Sequence, residues 1–174
     1  MPKMMPIVRK RIYSYLLAAG LTAGAALSGA ILIAPQEGLV LGTYKDAVGI
    51  VTSCYGHTGP ELVLGQTFTQ AQCDEQLAKD VAKHNKEMMR YVKVPLNLYQ
   101  EAALTSFSYN VGIGNFSSSS LLKELNKGNY KAACTKLLDW VYAKKQKLKG
   151  LVTRRAQEMK VCMGEVDIQA ELNK

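Results

Sequence analysis

Glu37-Gly38-Leu39-Val40-Leu41-Gly42-Thr43-Tyr44-Lys45-Asp46-Ala47-Val48-Gly49-Ile50-Val51-Thr52-Ser53-Cys54-Tyr55-Gly56-His57-Thr58-Gly59 is the stretch whose reading decides the fold. Two β-rich runs, Leu41 to Tyr44 and Ile50 to Cys54, flank a polar turn with Gly49, so the segment reads as a hairpin. Its functional groups are spaced as Glu37, eight residues, Asp46, five residues, Thr52. Breaking a glycosidic bond needs one protonated carboxyl for the leaving oxygen and one ionised carboxylate for the water. Glu37 follows a long apolar stretch, and shielding there would raise its carboxyl toward neutrality, which suits the acid. Asp46 lies in the polar turn and stays charged, which suits the base. Thr52 shares a strand face with Ile50 and Cys54 and is expected to hold the attacking water with Asp46.

Outward from the hairpin, Thr69-Gln70-Ala71-Gln72 is a capping-box pattern opening a long helix to about Tyr91. Asn97 caps a second helix with Ala102, Ala103, Phe107 and Val111 on its buried face, stopped by Gly112 and Gly114. Tyr130 to Ala143 reads as a helix burying Ala133, Leu137, Leu138 and Trp140. Lys144 to Lys149 reads as a solvated loop, with attraction to an anionic wall as the sharper alternative. A last helix follows Gly150 to about Gly164. The expected class is α+β, mostly α: a small β-hairpin sheet and a helical C-terminal lobe with a cleft between them.

The catalytic spacing and the Tyr55 to Gly59 string resemble the active-site segment of phage-type lysozymes, the muramidase endolysins of glycoside hydrolase family 24. Ser106-Phe107-Ser108-Tyr109-Asn110-Val111-Gly112-Ile113-Gly114-Asn115-Phe116 resembles that family's central helix and turn. Leu121 to Asn126 resembles its next helix, and Gly150 to Arg155 with Glu158 its C-terminal helix. The resemblance covers about Glu37 to Cys162. It implies a lysozyme-like two-lobed fold and hydrolysis of the β-1,4 bond between N-acetylmuramic acid and N-acetylglucosamine in peptidoglycan, with inversion. An inverting pair stands about 6.5–9.5 Å apart, leaving room for water. Supporting roles fall to His57, which braces the acid or the hairpin, to Asn110, and to Arg155, expected to pair with a buried carboxylate such as Glu37. The chain departs from the family at Ala143-Lys144-Lys145-Gln146, where Ala-Gly-Gly-Lys is usual.

Twenty-two basic and 14 acidic residues give 22 − 14 = +8, of which Lys3, Arg9, Lys10 and Arg11 precede an apolar segment. The basic remainder suits an anionic polymer such as the wall; no nucleic-acid motif accompanies it. The four cysteines read as disulfides of an exported protein. Of three pairings, Cys54 with Cys73 and Cys134 with Cys162 need the fewest crossings. A zinc site from Cys54, His57 and Cys73 matches no common ligand spacing, a Cys54/His57 nucleophilic pair would point to opposite strand faces, and His84 reads as a packing residue. No metal or cofactor is expected.

Ile12 to Ala34 holds no charged residue over 23 positions, long enough to span a bilayer, with a basic flank that keeps the N-terminus inside. Gly20, Gly24, Gly29 and many alanines make it only weakly hydrophobic. Residues 1–34 are therefore expected to form an appendage to a catalytic domain at 35–174. Three fates stand open: a cleaved signal peptide, a permanent anchor, or a resemblance to signal-anchor-release endolysins of lambdoid phages, whose segment inserts and later leaves the membrane. The last implies an inactive form on the periplasmic face of the host inner membrane, then a periplasmic enzyme, expected to be monomeric.

Overall fold

The computed structural model describes residues 4–46 and 48–174; Lys3 of the basic flank and Ala47 of the turn lie outside the described residues. The uncharged N-terminal run is folded as several short pieces. Helix α1 (Pro6–Ala18) starts with proline at its first turn, where the missing N–H costs nothing. The chain reverses at Gly20, in the left-handed region at φ +87°. Helix α2 (Ala23–Leu27) is capped by the Thr22 side chain, then a π-helical stretch (Ser28–Ile33) runs into α3 (Ala34–Glu37). Among the described residues no helix is long and apolar enough to cross a membrane.

This run forms part of the central core. Ile12, Leu16, Leu27, Leu32 and Ile33 are fully buried, in one cluster with Leu77, Val81, Ala102 and Phe107. Close packing depends on glycine at two places. A Cβ on Gly24 would stand 2.6 Å from Glu101 Oε2, and one on Gly29 would overlap Leu16 Cδ1. The basic flank docks too: Arg9 is buried and donates to the Glu171 carbonyl at 2.9 Å, and Arg11 lies 3.3 Å from Asp74 Oδ2.

Strands β1 (Val40–Lys45), β2 (Val51–Cys54) and β3 (His57–Thr58) form an antiparallel sheet in that order. The register places Tyr44 opposite Thr52 and Ser53 opposite His57. Helix α4 (Gln70–Met89) carries the complete Thr69/Gln72 capping box, and α5 (Leu98–Val111) an equivalent box from Asn97 and Gln100. Each box satisfies two otherwise orphaned backbone donors. Only Gly112, at φ +82°, ends α5; Gly114 lies inside the next helix, α6 (Ile113–Ser118). Helices α7 (Ser120–Asn126), α8 (Tyr130–Thr135) and α9 (Lys149–Cys162) complete the helical lobe. The cysteines are joined as expected, Cys54 to Cys73 and Cys134 to Cys162.

The region after α8 departs from the sequence reading. The expected helix to Ala143 stops at Thr135 and tightens into a 3₁₀ turn (Lys136–Asp139). Tertiary packing overrides the helical pattern: Trp140 docks edge-on against Phe107 at 5.3 Å, Val141 is buried, and Leu138 is left exposed. The lysine-rich loop is a short hairpin, β4 (Tyr142–Ala143) with β5 (Gln146–Lys147).

Candidate active site

Glu37 is the last residue of α3, and Gly38 at φ +72° turns the chain immediately into the sheet. Its carboxyl is held from two sides. Arg154 of α9 donates through Nη1 to Oε1 at 2.9 Å. On the other side the Tyr55-Gly56 turn passes so close that a Cβ on Gly56 would lie 3.3 Å from Glu37 Oε2. Gly56 also sits at φ +80°, so space and backbone both require glycine there. The apolar shielding expected for Glu37 is replaced by an ion pair, and 26% of the side chain remains exposed.

Asp46 closes the β1–β2 turn. Its N–H donates to the Ile50 carbonyl, and its Oδ1 accepts from the Val48 and Ile50 amides, each at 2.9 Å. Among the described residues only Oδ1 is so engaged, which leaves Oδ2 for water. Thr52, on β2, is buried and donates its hydroxyl to the Ile50 carbonyl at 3.1 Å; its oxygen can still accept from a water. Tyr44 links the set. It faces Thr52 across the sheet, and burial first, then the Glu37 and Asp46 charges, push its phenol above the usual value. Tyr44 thus stands opposite Thr52 and within the electrostatic reach of Glu37 and Asp46.

Behind Glu37 lies a buried ionic network. Glu158, 1% exposed, accepts from Ser106 Oγ at 2.6 Å and faces Arg154 and Arg155 at 3.3 and 3.2 Å. Burial pushes its carboxyl upward, against the two guanidiniums and Ser106. Arg155 does pair with a buried carboxylate, but the partner is Glu158; its neighbour Arg154 takes Glu37. Arg155 also lies 5.0 Å above the Phe107 ring and donates to Asn110 Oδ1 at 2.7 Å. Asn110 thus fixes a guanidinium. The Arg154/Glu158 spacing of four on one helix was the available signal for this network.

His57 braces the hairpin rather than the acid. Nδ1 is 2.8 Å from Asp80 on α4 and Nε2 is 2.7 Å from Glu61. Burial lowers the imidazole pKa, but hydrogen bonds and charge from Glu61 and Asp80 outweigh it and leave it raised. A raised folded-state pKa stabilises fully below the ordinary value of 6.5 and loses that stabilisation as pH rises through the folded value. His57→Gln is expected to cost about 1–3 kcal/mol near pH ~5.5 and clearly less near pH ~9, by urea denaturation. A cost independent of pH would assign the ring to packing alone.

Beside Gly56 opens a polar cavity of about 180 Å³ lined by Gly56, Thr58, Asp80, Lys83, His84 and Tyr109. His84 packs on Tyr109 with ring centroids 4.8 Å apart, and its buried Nδ1 has no hydrogen-bond partner among the described residues. Burial, then the Asp80 and Glu37 charges, raise the Tyr109 phenol. The cavity adjoins Glu37, because Gly56 lines it and a Cβ there would lie 3.3 Å from Glu37 Oε2. A larger groove of about 570 Å³ along Gly128 to Thr135 is lined by no carboxylate among the described residues. The zinc alternative falls away because Cys54 and Cys73 are bonded to each other.

Comparison with known proteins identifies the family and the fold. Residues 34–158 match the phage lysozyme family. A protein named SAR-endolysin from Enterobacteria phage PA-2 is 40% identical over 92% of this chain and 98% of its own. A point mutant of P22 lysozyme is similar in structure, with 31% identity and a TM-score of 0.70 over 82% of this chain and 97% of its own. The active form of P1 phage endolysin Lyz shares the fold at 22% identity, with a TM-score of 0.80 over 91% of this chain and 96% of that one. On the family match and the relatives together, this chain belongs to the phage lysozyme family and is a lysozyme, a muramidase.

Proposed function

We propose that Glu37 is the general acid and that Asp46, with Thr52, activates the water in an inverting cleavage of peptidoglycan, the substrate the family implies. The observation that carries this reading is the geometry of one short segment: Glu37 ends α3 with its carboxyl held by Arg154, Asp46 closes the β1–β2 turn through one carboxylate oxygen, and Thr52 lies on the strand that follows. Arg154 and the Gly56 turn fix the acid's direction, so little reorganisation is needed when a sugar binds. The backbone amides of Val48 and Ile50 hold Asp46 through one oxygen and leave the other to align a nucleophile. Glycan laid over Glu37 would occupy the adjoining cavity, whose Asp80, Lys83 and His84 offer both acceptors and donors to acetamido groups.

The product test is digestion of purified peptidoglycan with mass spectrometry and early-time NMR. The expected products carry one added water and appear first as the α-anomer, because a β bond is opened with inversion. Anhydro products would instead indicate a transglycosylase, and first-formed β-anomers a retaining enzyme.

The same reading extends to location. Relatives of this chain are named SAR-endolysins, and residues 12–34 combine a length sufficient for a bilayer with weak hydrophobicity. We take the packed N-terminal run to be the form after release into the periplasm, and a membrane-inserted form to precede it. Glu37 lies three residues beyond Ala34, so insertion would hold it within about 5 Å of the membrane boundary. It would then be separated from Arg154 and the Gly56 turn. Released, the enzyme is expected to act as a monomer.

A further inference from the structure

The β4–β5 hairpin breaks a local rule. Its register, Tyr142 opposite Lys147 and Ala143 opposite Gln146, leaves a two-residue turn at Lys144 and Lys145. Both have positive φ, 48° and 64°. Turns of this kind favour Asn-Gly or Gly-Gly because each central residue is left-handed, a conformation unfavourable to any residue bearing a Cβ. Two consecutive lysines therefore oppose the turn they form. Such local conflicts concentrate where function requires the side chain.

The lysines belong to a larger array. Lys144, Lys145, Lys147 and Lys149 occupy four of six successive positions with no acidic residue among them, and all four are exposed. Among the described residues none of them makes an ion pair, whereas Lys79, Lys127 and Lys174 each do. The array is also tied to the site. Trp140 anchors the base of the hairpin on Phe107, the ring beneath Arg155. Leu148 N–H closes the base on the Val141 carbonyl at 3.0 Å, and α9 then leads directly to Arg154 and Glu37.

We propose that this hairpin is an anion-binding finger that engages the carboxylates of peptidoglycan peptide stems next to the glycan being cleaved. The proposal rests on the lysozyme reading and deepens it. Ammonium groups on a two-residue turn present several donors from one short segment. Their field acts over about 10 Å at ordinary ionic strength, which matches a rim contact on a polymer already in the cleft. The hairpin's connection to α9, the helix that holds Glu37, favours the wall over a membrane surface.

Lys144→Gly with Lys145→Gly tests this, because glycine suits both turn positions, so the two ammonium side chains are removed without straining the turn. Apparent KM and kcat would be measured on purified sacculi and on sacculi whose stem carboxylates have been amidated. The expected result is a KM raised about fivefold to tenfold on untreated sacculi with kcat within about twofold. The two proteins should coincide on amidated sacculi, and the variant's melting temperature should be unchanged or higher. Equal KM values on untreated sacculi would overturn the proposal, as would an equal difference on both substrates. Cosedimentation supplies a readout independent of turnover. Lysine-dependent binding to untreated sacculi supports the finger even if neither protein releases sugar, a result that would fail the lysozyme reading alone. Lysine dependence on vesicles of anionic phospholipid but not on sacculi would overturn it in favour of a membrane contact.

Discussion

Glu37→Gln is expected to lower the rate of reducing-sugar release from peptidoglycan by about three orders of magnitude or more, in line with the loss of a positioned general acid. The size follows from what the substitution leaves intact. Glutamine matches the shape that fits against Gly56, and its amide oxygen can still accept from Arg154 Nη1. Arg154 keeps Glu158, so the charged network behind the site survives. What is lost is the proton that the proposed general acid would donate. Asp46→Asn makes the complementary case: the side-chain oxygen can still accept from the Val48 and Ile50 amides, so the turn is retained while the negative charge is removed. Thr52→Ala should cost less than either, because the hydroxyl positions and does not ionise. A Glu37→Gln protein with more than about a tenth of the original rate would exceed what a lost acid allows and would move the role to another group.

The parts of this site that were legible in sequence are those set by short-range geometry. A hairpin fixes the relation of Asp46 to Thr52, and the capping boxes at Thr69 and Asn97 are complete within four residues, so each could be read locally. The cysteine pairing followed from chain order, with separations of 19 and 28 residues. Which arginine meets Glu37 was not legible. Arg154 and Arg155 differ by about 100° around a helix axis, and only the seating of α9 on α5 decides between them. His57's partner Asp80 lies 23 residues away on another element, so nothing near the histidine announces it. The helix expected through Ala143 failed because Trp140 is drawn onto Phe107, a contact no local window contains. Periodicity also treats lysines as solvated, which hid a turn made by Lys144 and Lys145 in an unfavourable conformation.

Replacing Gly24 and Gly29 with leucine is expected to keep the protein in the membrane fraction and abolish wall hydrolysis in cells. If residues 12–34 insert before release, as proposed, two destinations compete for the same residues. In the bilayer, the eight leucines and isoleucines of residues 12–34 contribute at most about 5 kcal/mol, at up to about 0.6 kcal/mol each. In the folded core, Ile12, Leu16, Leu27, Leu32 and Ile33 are each worth about 1.5–3 kcal/mol on full burial. Docking therefore competes well with insertion, provided the segment packs closely. At Gly24 and Gly29 a side chain meets Glu101 and Leu16, and overpacking costs about 1–3 kcal/mol at each site. The added leucines also favour insertion by roughly 1 kcal/mol together, so both changes push the same way. Ala18→Leu with Ala19→Leu separates the two causes. Those positions are exposed in the folded form, so the pair adds similar hydrophobicity without touching the core and should release nearly as well as the original chain. Fractionation of lysing cells, with wall hydrolysis followed in parallel, reads the outcome. Equal retention of the two double variants would mean that hydrophobicity alone governs release, and the glycines would then have no packing role in it. Retention confined to the glycine variant would mean that the enzyme leaves the membrane because its folded core accepts this segment only with glycine at 24 and 29.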